Sequence, residues 1–174
     1  HKVKTMVFDK TGTLTKGTPV VTDIVSFSDL GEEEVLFYAA SAEQGTEHPL
    51  GEAVLQAAAE RGLQLAQNEH FETLPGHGIH STVKGKDVFC LSENAAQSES
   101  KIDLKWREKA ASFGAEGKTP VFVLLEQKVI GVLAIADTVK DNAASVIAAL
   151  QKKGIRTVML TGDKKETAKA IGKT

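Results

Sequence analysis

Cysteine is almost absent from this chain. Cys90 is the single one among 174 residues, which excludes an internal disulfide and any multi-cysteine metal centre, and suits a reducing compartment. Long apolar runs are missing too. The longest, Val129 to Ala136, is far too short to cross a bilayer. No charge of one sign dominates: 21 basic and 23 acidic residues give a formal net charge of -2. That balance offers no electrostatic reason to expect nucleic acid or anionic lipid as a partner. There is no signal peptide and no initiating methionine; the chain opens on His1-Lys2-Val3 and reads as an excised segment, soluble taken alone. Internal repeats and low-complexity stretches are lacking as well. What is present is ordinary for a globular chain: 41% apolar and 25% charged residues, with length for one domain or two small ones around a real core.

The patterning is of two kinds. Val3 to Phe8 and Ile155 to Leu160 read as short strands apolar enough to lie inside a parallel sheet. An acid or hydroxyl follows each, in Asp9 and in Thr161-Gly162-Asp163. The chain between them is richer in hairpin signals. Strands are expected at Val20 to Phe27, His70 to Leu74, Ile79 to Val83, Asp87 to Leu91, Pro120 to Leu125 and Val129 to Ile135. Helices are expected over Gly31 to Glu43, capped by Ser28 or Asp29, and over Pro49 to Arg61, Ile102 to Phe113 and Asp141 to Lys153. Asp141 is the expected cap of the last, and Ser92 to Ser100 reads as a polar loop. The expected fold class is therefore α/β. A Rossmann-like domain over 1–21 and 135–174 carries an inserted α+β domain over 22–134, built on an antiparallel sheet.

Asp9 lies at the carboxyl end of the first strand, within DKTGTLT. A carboxylate there can be a metal ligand, a base or a nucleophile. Attack on a γ-phosphate needs an exposed oxygen with room for three phosphoryl oxygens. Gly12 lets the backbone approach closely, and the amides and hydroxyls of Thr11 and Thr13 are donors for those oxygens. The stretch suits a nucleophile.

DKTGTLT resembles the phosphorylation motif of the P-type ATPases, whose catalytic domain belongs to the haloacid dehalogenase superfamily. The resemblance implies ATP and Mg²⁺ as cofactors, with Asp9 as the phosphorylated residue and the Thr11 carbonyl joining it on Mg²⁺. The superfamily's phosphatases carry an acid/base aspartate where this chain has Thr11, so a slowly hydrolysed aspartyl phosphate is expected. Thr161-Gly162-Asp163 resembles the TGD element, and implies with Asp9, Lys10 and Thr11 the catalytic set. Ala136 to Lys140 is similar to the segment that re-enters the phosphorylation domain, where Asp137 is either structural or helps to hold nucleotide.

Glu47-His48-Pro49-Leu50 resembles the SEHPL motif of the heavy-metal-transporting branch, with Thr46 in place of serine. In that branch the histidine orients adenine and the glutamate supports it. Gly76-His77-Gly78 is similar to its GxG, and Glu43 to an acid that contacts adenine; Leu91-Ser92 departs from the usual Gly-Asn. The implied nucleotide site is Glu43, Glu47, His48, Gly76 and Gly78. It is expected to face Asp9 and Thr161 across a cleft between the two domains.

The resemblance implies a cytoplasmic domain of an integral membrane pump, monomeric by itself, whose partners are the remaining domains of the same pump. No GDGxND segment occurs, so the phosphorylation domain reads as truncated. Cu⁺ is favoured as the exported ion, because copper pumps are the commonest members of the branch. A soluble phosphatase and a non-catalytic nucleotide-binding regulator are the rival readings. Two Walker-like endings at Gly117-Lys118-Thr119 and Gly172-Lys173-Thr174 lack the first glycine, with Ser112 and Thr167 in its place. His70, His77 and His80 lie across a turn with no obvious acidic or thiol partners, so zinc is not expected there. Trp106 and the alanines from Ala53 to Ala59 read as core.

Overall fold

Apolar residues fill nearly every position of Val121 to Leu125 and of Val129 to Ile135, and strands of that composition need cover on both faces. The computed structural model, which describes residues 3–100 and 103–160, provides it. A six-stranded antiparallel sheet has the order β2-β7-β6-β5-β4-β3. Its strands are β2 (Thr15–Ser26), β3 (Asn68–Leu74), β4 (Gly78–Val83), β5 (Lys86–Leu91), β6 (Thr119–Leu125) and β7 (Lys128–Val139). Helices α1 (Glu32–Ala42) and α2 (Pro49–Glu60) cover one face. Helices α3 (Glu93–Glu99) and α4 (Leu104–Ala115) cover the other. Alternation sends Val121 and Val123 into the first core, and Phe122 and Leu124 into the second. Gly131 lets α1 pack close: a Cβ there would stand 2.5 Å from Val35.

A second, two-stranded sheet pairs β1 (Thr5–Asp9) in parallel with β8 (Arg156–Leu160), placing Asp9 opposite Leu160. Helix α5 (Ala143–Lys152) leads from β7 into β8. In the β2–β7 ribbon Val21 pairs with Ile135. Among the described residues no helix is long and apolar enough to cross a membrane.

Several expectations are corrected. Ser92 to Ser100 is not a loop; α3 forms there, turning only Ala95 and Ala96 into the core. Two small inward residues leave too faint a periodicity to read. β2 begins at Thr15, five residues before the expected start at Val20, because its first half pairs with the end of β7. The cap of α1 is Gly31, whose N–H donates to Glu34 at 3.2 Å. Ser28 instead accepts from Leu30 N at 3.2 Å, within the preceding turn. The cap of α5 is Asn142, while Asp141 lies 3.7 Å from the Lys16 ammonium. Thr161, Gly162 and Asp163 lie outside the described residues.

Candidate functional site

Pro49 takes the first position of α2, where its missing N–H costs nothing. His48 caps the helix: its Nδ1 accepts from Leu50 N at 3.2 Å. That bond leaves Nε2 as the protonated nitrogen of the neutral ring. Thr46 Oγ1 accepts from His48 N at 3.2 Å.

Behind this turn Glu43, the C-cap residue of α1, is 7% exposed. Burial pushes its carboxyl up to about 7, partly offset by hydrogen bonds from Thr46 and Cys90. The Cys90 thiol is pushed up in turn, by its own burial and then by the neighbouring Glu43 charge. Gly51 makes the arrangement fit, since a Cβ there would lie 2.4 Å from Glu43 Oε2 and 2.6 Å from Thr46 Cγ2. Sequence reasoning passed over Gly51. Its signal was a glycine in the first turn of an otherwise favourable helix, a costly residue unless something packs against it.

The facing wall is the β3–β4 turn. Gly76 has φ +73°, and Gly78 has φ +140° with no room for a side chain: a Cβ would lie 2.0 Å from Cys90 O. His77 N donates to Leu74 O at 2.9 Å, and His77 O accepts from Ser92 N at 2.7 Å. Leu91 and Ser92 thus complete this wall. Between the walls lies a cavity of about 510 Å³, lined also by Cys90, Thr119, Pro120 and Val121. Its size suits a nucleoside-sized ligand. All five expected nucleotide residues, Glu43, Glu47, His48, Gly76 and Gly78, line it. The contribution of Thr119 to Val121 was not foreseen.

Asp9 does not line this cavity; it is exposed at the end of β1. The chain then makes one wide turn over Lys10–Leu14, closed by Thr15 N donating to Lys10 O. Gly12 takes φ +75°, and its N–H donates to Thr15 Oγ1 at 3.3 Å. The end of β7 fastens this turn. Thr15 Oγ1 hydrogen-bonds Asp137, Gly17 N donates to Asp137 Oδ1 at 3.0 Å, and Lys140 Nζ donates to Gly12 O at 2.7 Å. Asp137 holds the motif turn in place, far along the chain from it.

A carboxylate at the end of a parallel strand, a glycine-containing turn and an inserted sheet define a class. The chain belongs to the haloacid dehalogenase-like hydrolase family, whose model matches residues 3–174. Within that family its likeness is to metal-transporting P-type ATPases. It is 37% identical over 173 residues to the copper-exporting P-type ATPase of Bacillus subtilis (strain 168), covering 99% of this chain and 22% of that protein. It is 40% identical over 173 residues to the silver exporting P-type ATPase of Salmonella typhimurium, covering 99% and 21%. The crystal structure of a zinc-transporting PIB-type ATPase in the E2.Pi state superposes with a TM-score of 0.83 at 34% identity, over 99% of this chain and 28% of that one. The chain therefore spans about a fifth of the length of the curated relatives it matches.

Proposed function

We propose that this chain is the ATP-binding and phosphorylation region of a heavy-metal P-type ATPase, a cytoplasmic part of a membrane pump. The observation that carries the reading is the cavity, where residues from four separate segments meet around a space of nucleoside size. Residues 22–134 form the nucleotide-binding domain, and 1–21 with 135–174 the phosphorylation domain. Adenine enters between the exposed His48 ring and the Gly76-His77-Gly78 turn, where neither glycine offers a side chain to obstruct it. Glu43 and Glu47 supply acceptors for its amino group.

The triphosphate leads out of the cavity towards Asp9. A carboxylate oxygen of Asp9 attacks the γ-phosphorus; an O–P bond forms to Asp9, and the bond from that phosphorus to the β,γ-bridging oxygen breaks, releasing ADP. Lys10 and Thr11 complete the motif around it, and Thr161, Gly162 and Asp163 belong with them to the proposed catalytic set. The Asp9 carboxylate and the Thr11 carbonyl would hold Mg²⁺, and their chemistry fits: both are hard oxygen donors, and Asp9 is open to solvent. Bound there, Mg²⁺ neutralises charge on the phosphoryl oxygens. Thr11 brings no second acid, so the acyl phosphate persists and its energy drives export of a metal ion, with Cu⁺ favoured. The partners are the other domains of the pump.

The test is labelling of the full-length protein with γ-³²P-ATP. An acid-stable, hydroxylamine-sensitive phosphoenzyme is expected, and Asp9→Asn should abolish it. Equal labelling of the Asp9→Asn protein would remove Asp9 from the reaction. By itself the chain, which has no GDGxND segment, should turn ATP over very slowly.

A further inference from the structure

His70, Glu72 and His80 meet on the outer part of the β3–β4 hairpin, away from the lining of the cavity. Each offers one ligand atom, and the three atoms lie within 4.8 Å of one another. The register explains the meeting. Glu72 pairs directly with His80 across the two strands, so both side chains leave the same face, and His70 follows two residues along β3. His77, which the sequence grouped with them, belongs instead to the cavity wall. The acidic partners that the sequence did not reveal are Glu72, whose Oε2 lies 3.8 Å from His70 Nε2, and Asp87 of β5, whose Oδ1 lies 3.0 Å from His80 Nε2.

We propose that this cluster is a binding site for a borderline divalent cation of the Zn²⁺ or Co²⁺ kind, bridging edge strand β3 to β4. Two imidazoles and a carboxylate are the donors such ions take; Cu⁺ would ask for thiolate or thioether sulfur. The one thiol, Cys90, is buried on the opposite side of β5 among the α1 core. The His80 ring is already held. It stacks on Phe89 at 4.3 Å between centroids and 12° between planes, and Asp87 fixes it through Nε2. Such a carboxylate–histidine pair orients a metal-binding ring and raises its basicity. His70 and Glu72 are exposed and their Nε2 and Oε2 lie 3.8 Å apart, so small side-chain movements reach the roughly 3.3 Å spacing of donors around a tetrahedral ion with bonds of about 2.0–2.1 Å.

The site also has mechanical sense. β3 is the edge of the sheet, and its pairing with β4 shifts register between Asn68 and His70. A cation shared by His70 and Glu72 on β3 and His80 on β4 fastens the strand there. This hairpin ends in Gly76-His77-Gly78, but the cation site stands whether or not that turn binds nucleotide.

The experiment is titration of the purified chain with Zn²⁺ by calorimetry and with Co²⁺ by visible absorption, in the absence of nucleotide. One ion per chain should bind, with Co²⁺ d–d bands of nitrogen and oxygen ligation and no sulfur charge-transfer band. His70→Ala and His80→Gln should each weaken Zn²⁺ by more than about 100-fold, beyond the roughly 10–100-fold that losing an outer-shell partner costs. Zn²⁺ should also slow amide exchange in β3, and do so less in either variant. His70 is exposed, so its variant keeps the test valid even where His80→Gln loosens the stack on Phe89. No binding at tens of micromolar metal, unchanged affinity in both variants, or a thiolate band from Cys90 would each overturn the proposal.

Discussion

Replacing Glu43 with glutamine should remove a loss of stability that the protein suffers as pH rises. Burial raises the Glu43 carboxyl from its ordinary 4.5 to about 7. Between these values the folded chain keeps a proton that the unfolded chain has released. Stability from this group is therefore fully present below pH 4.5, falls as pH rises, and levels off above about 7. At about 1.4 kcal/mol for each pH unit, the rise corresponds to a loss on the order of 3 kcal/mol. Because Glu43 is only 7% exposed, solvent screening takes little from that figure. Glutamine has nearly the same shape, keeps an oxygen for Thr46, and carries no charge at any pH. Urea denaturation at pH 4.5, 6 and 8 should find the two proteins close in stability at the lowest pH. At pH 8 the Glu43→Gln protein should be the more stable, by up to about 3 kcal/mol. Other titrating groups cancel in the difference. Parallel stability curves across that range would show that Glu43 ionises as freely in the fold as out of it, and the buried-carboxyl argument would fail.

His48→Ala should lower ATP affinity by about ten-fold or more, given the 1–3 kcal/mol of a base stacked on an aromatic ring, and cost about 1 kcal/mol of stability with the lost cap. His48→Asn separates the two, keeping the cap while losing the ring; calorimetry and thermal melts read them apart, and unchanged affinity in both variants would remove His48 from the site. Gly78→Ala meets Cys90 O at 2.0 Å in a φ of +140°, so chemical denaturation should show at least about 2 kcal/mol of destabilisation. Asp137→Ala removes one acceptor of the Thr15 hydroxyl, which keeps Lys10 O at 3.2 Å, and the acceptor of the exposed Gly17 N–H, at a cost of about 1 kcal/mol. An Asp137→Ala protein as stable as its parent by denaturation would show that water replaces the carboxylate there.

Where local chemistry decides the structure, the sequence was readable. Pro49 after His48 starts α2 because proline suits a helix's first position, and Val121 to Leu125 demands cover on both faces because it has no polar side. α3 was lost because two alanines are its whole inward face. The β2 start was lost because Thr15 to Pro19 has no strand pattern of its own and is held by β7. The walls of the cavity divide the same way. His48 and Gly76-His77-Gly78 sit in turns whose backbone needs those residues, whereas Thr119 to Val121 arrives by the pairing of β6 with β7. The cation cluster lies between these cases. Once the turn is placed so that Leu74 pairs with Gly78, Glu72 must pair with His80, but the placing itself depends on Gly78 fitting against Cys90.

Asp137 shows how a residue with two readings is decided. In the sequence it followed the apolar end of a strand, a position equally open to a nucleotide ligand and to a structural acceptor. In the fold its Oδ1 takes the Gly17 N–H and its Oδ2 the Thr15 hydroxyl, so both oxygens already have donors. It also stands outside the lining of the cavity. Breaking those bonds to reach a ligand would loosen Thr15, leaving its hydroxyl held by Lys10 O at 3.2 Å while it accepts from Gly12 N in the turn after Asp9. Lys140 grips the same turn from the same strand end, through Gly12 O. Both side chains come from the stretch that leads back from the large sheet towards β8. The turn that follows Asp9 is thus shaped as much by residues 137 and 140 as by its own sequence, and a change in either reaches it without touching the DKTGTLT motif.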